Sequence, residues 1–147
     1  MTSYSIPFNR PGLVGSELEY IQQAIASGHL SGDGDFTRRC AELLEAAVGV
    51  ERALLTTSCT HALEMSALLL DIQPGDEVIV PAYTYIATAS AIVSAGAVPV
   101  IAEIDESLGL DPEDVARKIT PHTRCIMPVH MQGVPVRLND IRKVAEE

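Results

Sequence analysis

The segment with the clearest capacity for chemistry is Thr57-Ser58-Cys59-Thr60, a short polar loop between an apolar run and a predicted helix. Backbone N–H groups at the start of a helix have no acceptor inside the helix, and the helix dipole makes that end positive. Small hydroxyl side chains let a ligand approach closely and add donors. The loop therefore suits an anion, with phosphate the usual guest, although simple capping of the helix by Ser58 or Thr60 would give the same pattern.

A second candidate is the loop that contains Tyr83 and Tyr85, two of the six aromatic residues of the chain, directly after a predicted strand that ends at Pro81. Ligands of open α/β sheets bind at the carboxyl ends of the strands. An aromatic side chain there can stack on a planar ring. The alternative is that each tyrosine packs on the sheet edge with its hydroxyl in water.

His130 follows another predicted strand and is expected at the same edge, where it could donate a hydrogen bond or titrate. A purely structural histidine would look the same. The loop of residues 31–35 carries two aspartates but has neither the length nor the closing glutamate of a calcium-binding loop, so we interpret it as an active-site or subunit-contact loop. Cys59 and Cys125 have no readable base beside them and are interpreted as small buried apolar residues.

The first 35 residues are predicted to hold one helix before this Gly/Asp loop. Ser16 can cap the helix, apolar residues recur in it at helical spacing, and Gly28 ends it. Asp35 can cap a second helix that stops at Gly49.

From Arg52 onward, short apolar strands alternate with helices. This alternation predicts an α/β fold with a parallel sheet and helical crossovers. The predicted strands are Ala53–Thr57, Val78–Val80, Val98–Ile104 and Cys125–Val129, and the predicted helices are Thr60–Leu70, Ile86–Ala95, one opened by Asp111-Pro112 and one that begins at Asn139. The last helix reaches no stop signal, so we expect the chain to be the front part of a longer protein.

Length and composition limit the class of protein. The chain has 147 residues, of which 47% are apolar, which is typical of a folded domain, and a net charge of −10. An acidic chain argues against nucleic acid and anionic membranes as partners. Three cysteines without paired spacing disfavour disulfides or a zinc site. No signal peptide and no apolar run of about 18 residues is present, so the sequence predicts a cytoplasmic protein.

Taken together and in order, these segments resemble the amino-terminal part of the DegT/StrS family of pyridoxal-phosphate-dependent sugar aminotransferases. Within that family the resemblance is strongest to transaminases that act on dTDP-linked 4-keto-6-deoxyhexoses. The resemblance is carried by IPFNRPGLVGSELEYIQQAI, LSGDGDFTRRC, LLTTSCTHALEMSALLLDIQPGDEVIVPAYTYIATASAIVSAGAVPV and PVHMQGVPVRLNDI.

The resemblance implies a fold type I aminotransferase, whose large pyridoxal-phosphate (PLP) domain is an α/β/α sandwich around a mostly parallel sheet. Residues 1–35 would then form an N-terminal helix and an active-site or dimer loop, and residues 36–147 the first part of the PLP domain. The implied reaction moves an amino group from an amino acid, which in this family is usually L-glutamate, to the keto carbon of a nucleotide-linked 4-keto-6-deoxyhexose. Such reactions belong to surface-polysaccharide or deoxysugar biosynthesis. The full-length form would be a homodimer.

The resemblance also implies roles for single residues. Cys59 and Thr60 match the pair that holds the cofactor phosphate, and Tyr85 matches the aromatic residue that stacks on the pyridine ring. Four residues match positions near the nucleotide-sugar substrate: Gly32, Asp33, Gly34 and His130.

The family's reactive lysine, which forms the Schiff base, and the aspartate that pairs with the ring nitrogen are expected beyond residue 147. The only lysines here, Lys118 and Lys143, are interpreted as solvated helix residues. The chain alone is therefore expected to be inactive. A truncated homologue with a binding or regulatory role, one half of a split enzyme, and a lyase or sugar dehydratase on the same fold remain alternatives.

Overall fold

The computed structural model describes residue 7 and residues 9–146. The chain divides into two compact units, with the boundary between Leu55 and Thr56. The sequence predicts a division of the chain by expected role after residue 35, whereas this boundary follows from packing. The division by role stays a prediction. In the part of the chain that the structure describes, no helix is long and apolar enough to cross a membrane.

The first unit contains two helices, α1 (Glu17–Ala26) and α2 (Asp35–Val48). Ser16 occupies the N-cap position of helix α1 as predicted, but its side chain makes no cap hydrogen bond. Instead, the Glu17 carboxylate accepts the N–H groups of the two residues before Ser16, over 2.6 and 2.9 Å. Asp35 is the first residue of α2 rather than its cap, because extended Gly34 takes the cap position and Asp35 lies in the first turn, where a carboxylate favours the positive helix end.

The second unit is built on a three-stranded parallel sheet. Its strands are β1 (Glu77–Pro81), β2 (Val98–Ala102) and β3 (Thr123–Ile126), in the order β2-β1-β3. The helices are α3 (Cys59–Leu69), α4 (Ala87–Ser94), α5 (Pro112–Lys118) and α6 (Leu138–Glu146), and a short 3-10 turn spans Met131–Gly133. The predicted alternation of strands and helices is thus confirmed from α3 onward, with β2 and β3 ending earlier than predicted.

Strand β1 is the centre of this unit because both of its faces are covered. Val78 and Val80 pack on one side with Ala67 of α3 and Ile92 of α4. Ile79 points the opposite way, as alternate residues of a strand must, and packs against residues of α5 and α6. The observed arrangement is therefore a sheet between two helical layers, which is why the β1 sequence is a continuous apolar run.

The predicted strand Ala53–Thr57 is wrong. Residues 53–57 form no strand, and Leu54 and Leu55 are 62% and 43% exposed. A strand exists only where a neighbour accepts and donates its ladder hydrogen bonds. Among the described residues, β1 pairs only with β2 and β3, and residues 53–57 pair with none of the three strands.

Helix α5 closes the outer edge of β2. Alternate residues of β2 bond to the β1 segment, so that Pro99 and Ile101 direct their backbone groups away from it. Pro99 has no N–H to offer, and the Ile101 carbonyl accepts from Lys118 Nζ over 2.6 Å. Just beyond β2, the N–H of Glu103 donates to Asp114 Oδ2 over 2.7 Å. This side of the sheet has little left with which to pair another strand.

Asp114 is the anchor of that closure. The backbone N–H of Glu103, and then Lys118, hold the pKa of its carboxyl down at about 2, against 3.8 for an ordinary aspartate. Arg117 and Lys118 contact its two oxygens at 3.0 and 2.9 Å. Because the pKa is lowered in the folded state, the stabilisation is present above about pH 4 and is lost as the pH falls toward 2.

We expect Asp114→Asn to lower the thermal midpoint at neutral pH, since it removes the charge that the three donors hold. The difference from the parent protein should shrink as the pH is lowered from 4 to 2, where the parent loses the same charge. Thermal unfolding between pH 2 and 7 measures both effects. Glu113→Gln, at an exposed position of the same helix, is the control and should change little. A difference that stays constant with pH would contradict this account.

Candidate ligand site at the carboxyl edge of the sheet

Three segments of the second unit meet the carboxyl edge of the sheet. Strand β1 ends at Pro81 and leads into the tyrosine loop, and its parallel neighbour β3 leads to His130. Helix α3 ends at Leu69, with seven residues between it and the start of β1 at Glu77, and Ala67 near its end packs with Val78 and Val80. From this connection we infer that the first turn of α3 lies toward the carboxyl end of β1. This edge is where open α/β sheets bind their ligands.

Hydroxyl groups shape the start of α3. Ser58 is the N-cap, and its Oγ accepts the N–H of His61 over 3.2 Å. Thr56 Oγ1 donates to the Ser58 carbonyl over 2.8 Å. Within the described residues, the N–H groups of Cys59 and Thr60 have no acceptor. Capping by Ser58 therefore does not use up the anion site, because two donors remain at the positive end of an 11-residue helix.

A further contact ties the loop to the helix. Thr57 Oγ1 lies 2.5 Å from His61 Nδ1. No sequence pattern predicted this pair, because a hydroxyl and an imidazole four residues apart meet only once the helix start is fixed. The pair adds to the rigidity of the segment that carries the two free N–H groups.

Tyr85 offers an uncovered ring. The residue is 75% exposed, and its carbonyl accepts the N–H of Thr88 over 3.0 Å at the start of α4. Tyr83 is 44% exposed. The alternative in which Tyr85 packs its ring on the sheet edge is therefore not what the structure shows, and the ring is available for stacking.

The cysteines behave differently from each other. Cys59 is exposed, not buried as expected, because it occupies the first helical residue at the open edge. Cys125 is half-buried in β3, and that burial raises the pKa of its thiol and keeps it protonated. Among the described residues, no three metal-ligating side chains come together.

The Gly32–Gly34 loop belongs to the first unit. Asp33 has a left-handed backbone, and its carbonyl accepts from the Arg38 guanidinium over 3.2 Å. Arg38 also forms an ion pair with Asp35. The His29 ring bonds the Gly32 carbonyl over 3.1 Å. The loop borders a cavity of about 430 Å³ between the end of α1 and the start of α2.

His130 lies at the exposed end of the β3 segment. Its Nδ1 accepts the backbone N–H of Val136 over 3.2 Å, and Val136 is only 6% exposed. Parallel pairing of β1 and β3 puts the segments that lead to Tyr85 and His130 at the same edge of the sheet, and the same edge is inferred for Cys59 and Thr60. The anchoring amide of Val136 was missed from the sequence, since nothing in the spacing marks it.

The chain matches the model of the DegT/DnrJ/EryC1/StrS aminotransferase family over residues 12–147. GDP-perosamine synthase of Vibrio cholerae is 38% identical over 143 residues, which are 97% of this chain and 39% of that protein. The chain therefore spans about two fifths of the length of the curated relatives that it matches.

Solved structures give the same likeness. The structure of ntda from Bacillus subtilis with bound cofactor PMP has a TM-score of 0.84 and 30% identity, over 88% of this chain and 30% of that chain. DesI, solved in the presence of its TDP-sugar product, has a TM-score of 0.80 and 35% identity, over 88% of this chain and 33% of that chain. The fold class predicted from the sequence is confirmed, and the chain holds part of it.

Gly109 tests how firmly His130 is held. A Cβ on Gly109 would lie 2.9 Å from Val136 Cβ, a distance at which something must shift. We expect Gly109→Ala to lower the free energy of unfolding by about 1–3 kcal/mol through overpacking. It should also disturb the signals of the His130 ring in NMR spectra.

Gly12→Ala is the matched control, because a Cβ there has no neighbour within 4 Å. It should leave both readouts unchanged. An unchanged His130 signal in a destabilised Gly109→Ala protein would show that the ring does not depend on Val136.

Proposed function

The chain belongs to the DegT/DnrJ/EryC1/StrS aminotransferase family, and from that premise we propose that it supplies part of the site of a PLP-dependent sugar transaminase. The proposed reaction transfers an amino group from an amino acid, L-glutamate in this proposal, to the keto carbon of a nucleotide-linked 4-keto-6-deoxyhexose. The observation that carries it is the pair of free N–H groups at Cys59 and Thr60, at the edge where the Tyr85 ring is uncovered.

The start of α3 fits the phosphate of PLP. The N–H groups of Cys59 and Thr60 and the Thr60 hydroxyl would hold it, with the helix dipole adding attraction for the negative charge. Thr56 would keep the loop in place without donating to the phosphate, since its hydroxyl proton is already given to the Ser58 carbonyl. The Ser58 Oγ accepts the His61 N–H, so its own proton stays available to the phosphate. PLP, when bound, supplies a carbonyl that accepts the amino group and a ring that withdraws electrons from the reacting carbon.

Tyr85 would cover one face of the pyridine ring. Tyr85 is 75% exposed, so most of its ring is free of protein contacts. A pyridine ring stacked on it would be shielded from water on the covered face. One cofactor would need Tyr85 and the start of α3 at the same edge of the second unit, and the inferred direction of α3 supports this.

Substrate contacts are proposed for His130 and for Gly32, Asp33 and Gly34. Two nucleotides are candidates: dTDP, which the resemblance implies, and GDP, which appears in the name of the Vibrio cholerae relative. The experiment below distinguishes them. DesI was solved with a TDP-sugar. We further propose a cytoplasmic homodimer as the working form of the whole protein, in which residues 1–35 form an N-terminal helix and an active-site or dimer loop.

The 147 residues alone are proposed to transfer no amino group. Lys118 is held by Asp114 and by the Ile101 carbonyl, and Lys143 pairs with Asp140. Both lysines thus have structural partners on helices α5 and α6, and neither is proposed as the residue that binds PLP covalently.

Thr60→Ala should weaken equilibrium binding of PLP to the protein that carries this chain by about tenfold, because it removes a hydroxyl bonded to a charged group. Thr60→Ser should restore most of the affinity, since it returns the hydroxyl. Ser66→Ala is the control: that hydroxyl bonds only the Ala62 carbonyl within α3. Equal PLP affinity in Thr60→Ala and the parent would remove Thr60 from the site.

The reaction itself is tested by giving the PLP-loaded protein L-glutamate and either the dTDP-linked or the GDP-linked 4-keto-6-deoxyhexose. Mass spectrometry should detect replacement of the keto oxygen by an amino group with one of the two sugars. The 147-residue chain, assayed in parallel, should give no product. Absence of product with both sugars, in a protein that binds PLP, would overturn the proposed reaction.

A further inference from the structure

The His130 ring is held through one nitrogen and leaves the other free. Nδ1 accepts the backbone N–H of Val136 over 3.2 Å. A backbone amide only donates, so Nδ1 carries no proton, and the proton of the neutral ring is on Nε2. No described residue bonds Nε2, and His130 is exposed. The ring therefore presents a hydrogen-bond donor away from the backbone.

The direction of that donor is fixed by the core. Val136 is buried and packs in the cluster that contains Ile79 of β1 and Ile141 of α6. The turn between His130 and Val136 is closed by a bond from the Gly133 N–H to the His130 carbonyl, over 3.0 Å. Gln132 inside the turn has a φ of 53°, in the left-handed region. Backbone strain of this kind persists only where the surroundings enforce it.

The other ring contacts differ in kind. His61 Nδ1 meets the Thr57 hydroxyl, which can donate or accept, so that contact does not choose a tautomer. The His29 Nε2 atom is already within 3.1 Å of the Gly32 carbonyl. His130 is the described histidine whose backbone partner dictates which nitrogen carries the proton and whose protonated nitrogen is unused.

We propose that His130 orients the bound ligand by donating a hydrogen bond from Nε2 to a carbonyl or carboxylate oxygen. The inference rests on the proposed function for the identity of the ligand. Two ligands of that reaction carry such an oxygen: the keto sugar and the amino acid donor. His130 follows the carboxyl end of β3 by four residues, and β3 is paired with the strand that leads to Tyr85. Its fixed donor suits an acceptor oxygen rather than an amino group.

The tautomer is measured first, by long-range ¹H–¹⁵N NMR of the histidine rings in the protein that carries this chain, without any ligand. The pattern of a ring protonated at Nε2 is expected for His130. A ring protonated at Nδ1 would overturn the proposal.

Two substitutions separate the two nitrogens. His130→Asn keeps an acceptor near Nδ1 and removes the donor at Nε2. The thermal midpoint should therefore stay close to that of the parent, while binding of L-glutamate or of the nucleotide-linked keto sugar weakens by about tenfold. His130→Gln keeps a donor near Nε2 and removes the anchor, so it should retain more binding but unfold at lower temperature. His122→Asn, in an exposed loop, is the matched control.

The two half-reactions are then measured separately: the protein loaded with PLP is given L-glutamate in one arm, and the protein loaded with the aminated cofactor, PMP, is given the nucleotide-linked keto sugar in the other. If His130→Asn raises KM only in the L-glutamate arm, the His130 ring bonds the carboxylate of L-glutamate. If it raises KM only in the sugar arm, the ring bonds an oxygen of the keto sugar. Unchanged KM in both arms for His130→Asn would overturn the proposal. A parent protein without either half-reaction would overturn the proposed function and the ligand assignment with it, whereas the tautomer result would stand.

Discussion

Burial of β1 on both faces is the constraint on which the rest of the second unit depends. Val78, Ile79 and Val80 are fully buried, so each face of the sheet needs a helical layer, and helices α3 and α4 cover one while α5 and α6 cover the other. The pairing of β1 with a parallel strand on each side brings the ends of β1 and β3 to one edge. The positions of the tyrosine loop and of His130 follow from that arrangement.

Much of this fold could be predicted because local signals agreed with the tertiary structure. The Asp111 cap is an example: its carboxylate accepts the N–H of Glu113 as the Asp-Pro pattern predicts. The strand predicted at residues 53–57 failed for a physical reason. An apolar run specifies burial, but strand formation also needs a partner strand, and partners are not written in the run itself.

The candidate site was predictable in its residue types and less so in its geometry. Ser58 as a cap and an open edge near Tyr85 follow from sequence order and turn chemistry. The bond between Val136 and His130 depends instead on a turn with a left-handed residue, and the exposure of Cys59 depends on its place as the first helical residue. The bond arises from how the chain turns back on the sheet, which no local pattern encodes, whereas the exposure of Cys59 follows from a helix start one residue earlier than predicted.

The two outer edges of the sheet differ in their capacity to pair with another strand. Proline at position 99, the lysine contact at Ile101 and the aspartate contact at Glu103 use or remove the pairing groups on that side. On the other side, the Met127 N–H bonds Ile79, so the neighbouring Ile126 turns its N–H away from β1, beside a groove of about 300 Å³ bordered by α6. The sheet can therefore be extended by hydrogen bonding on the β3 side and not on the β2 side.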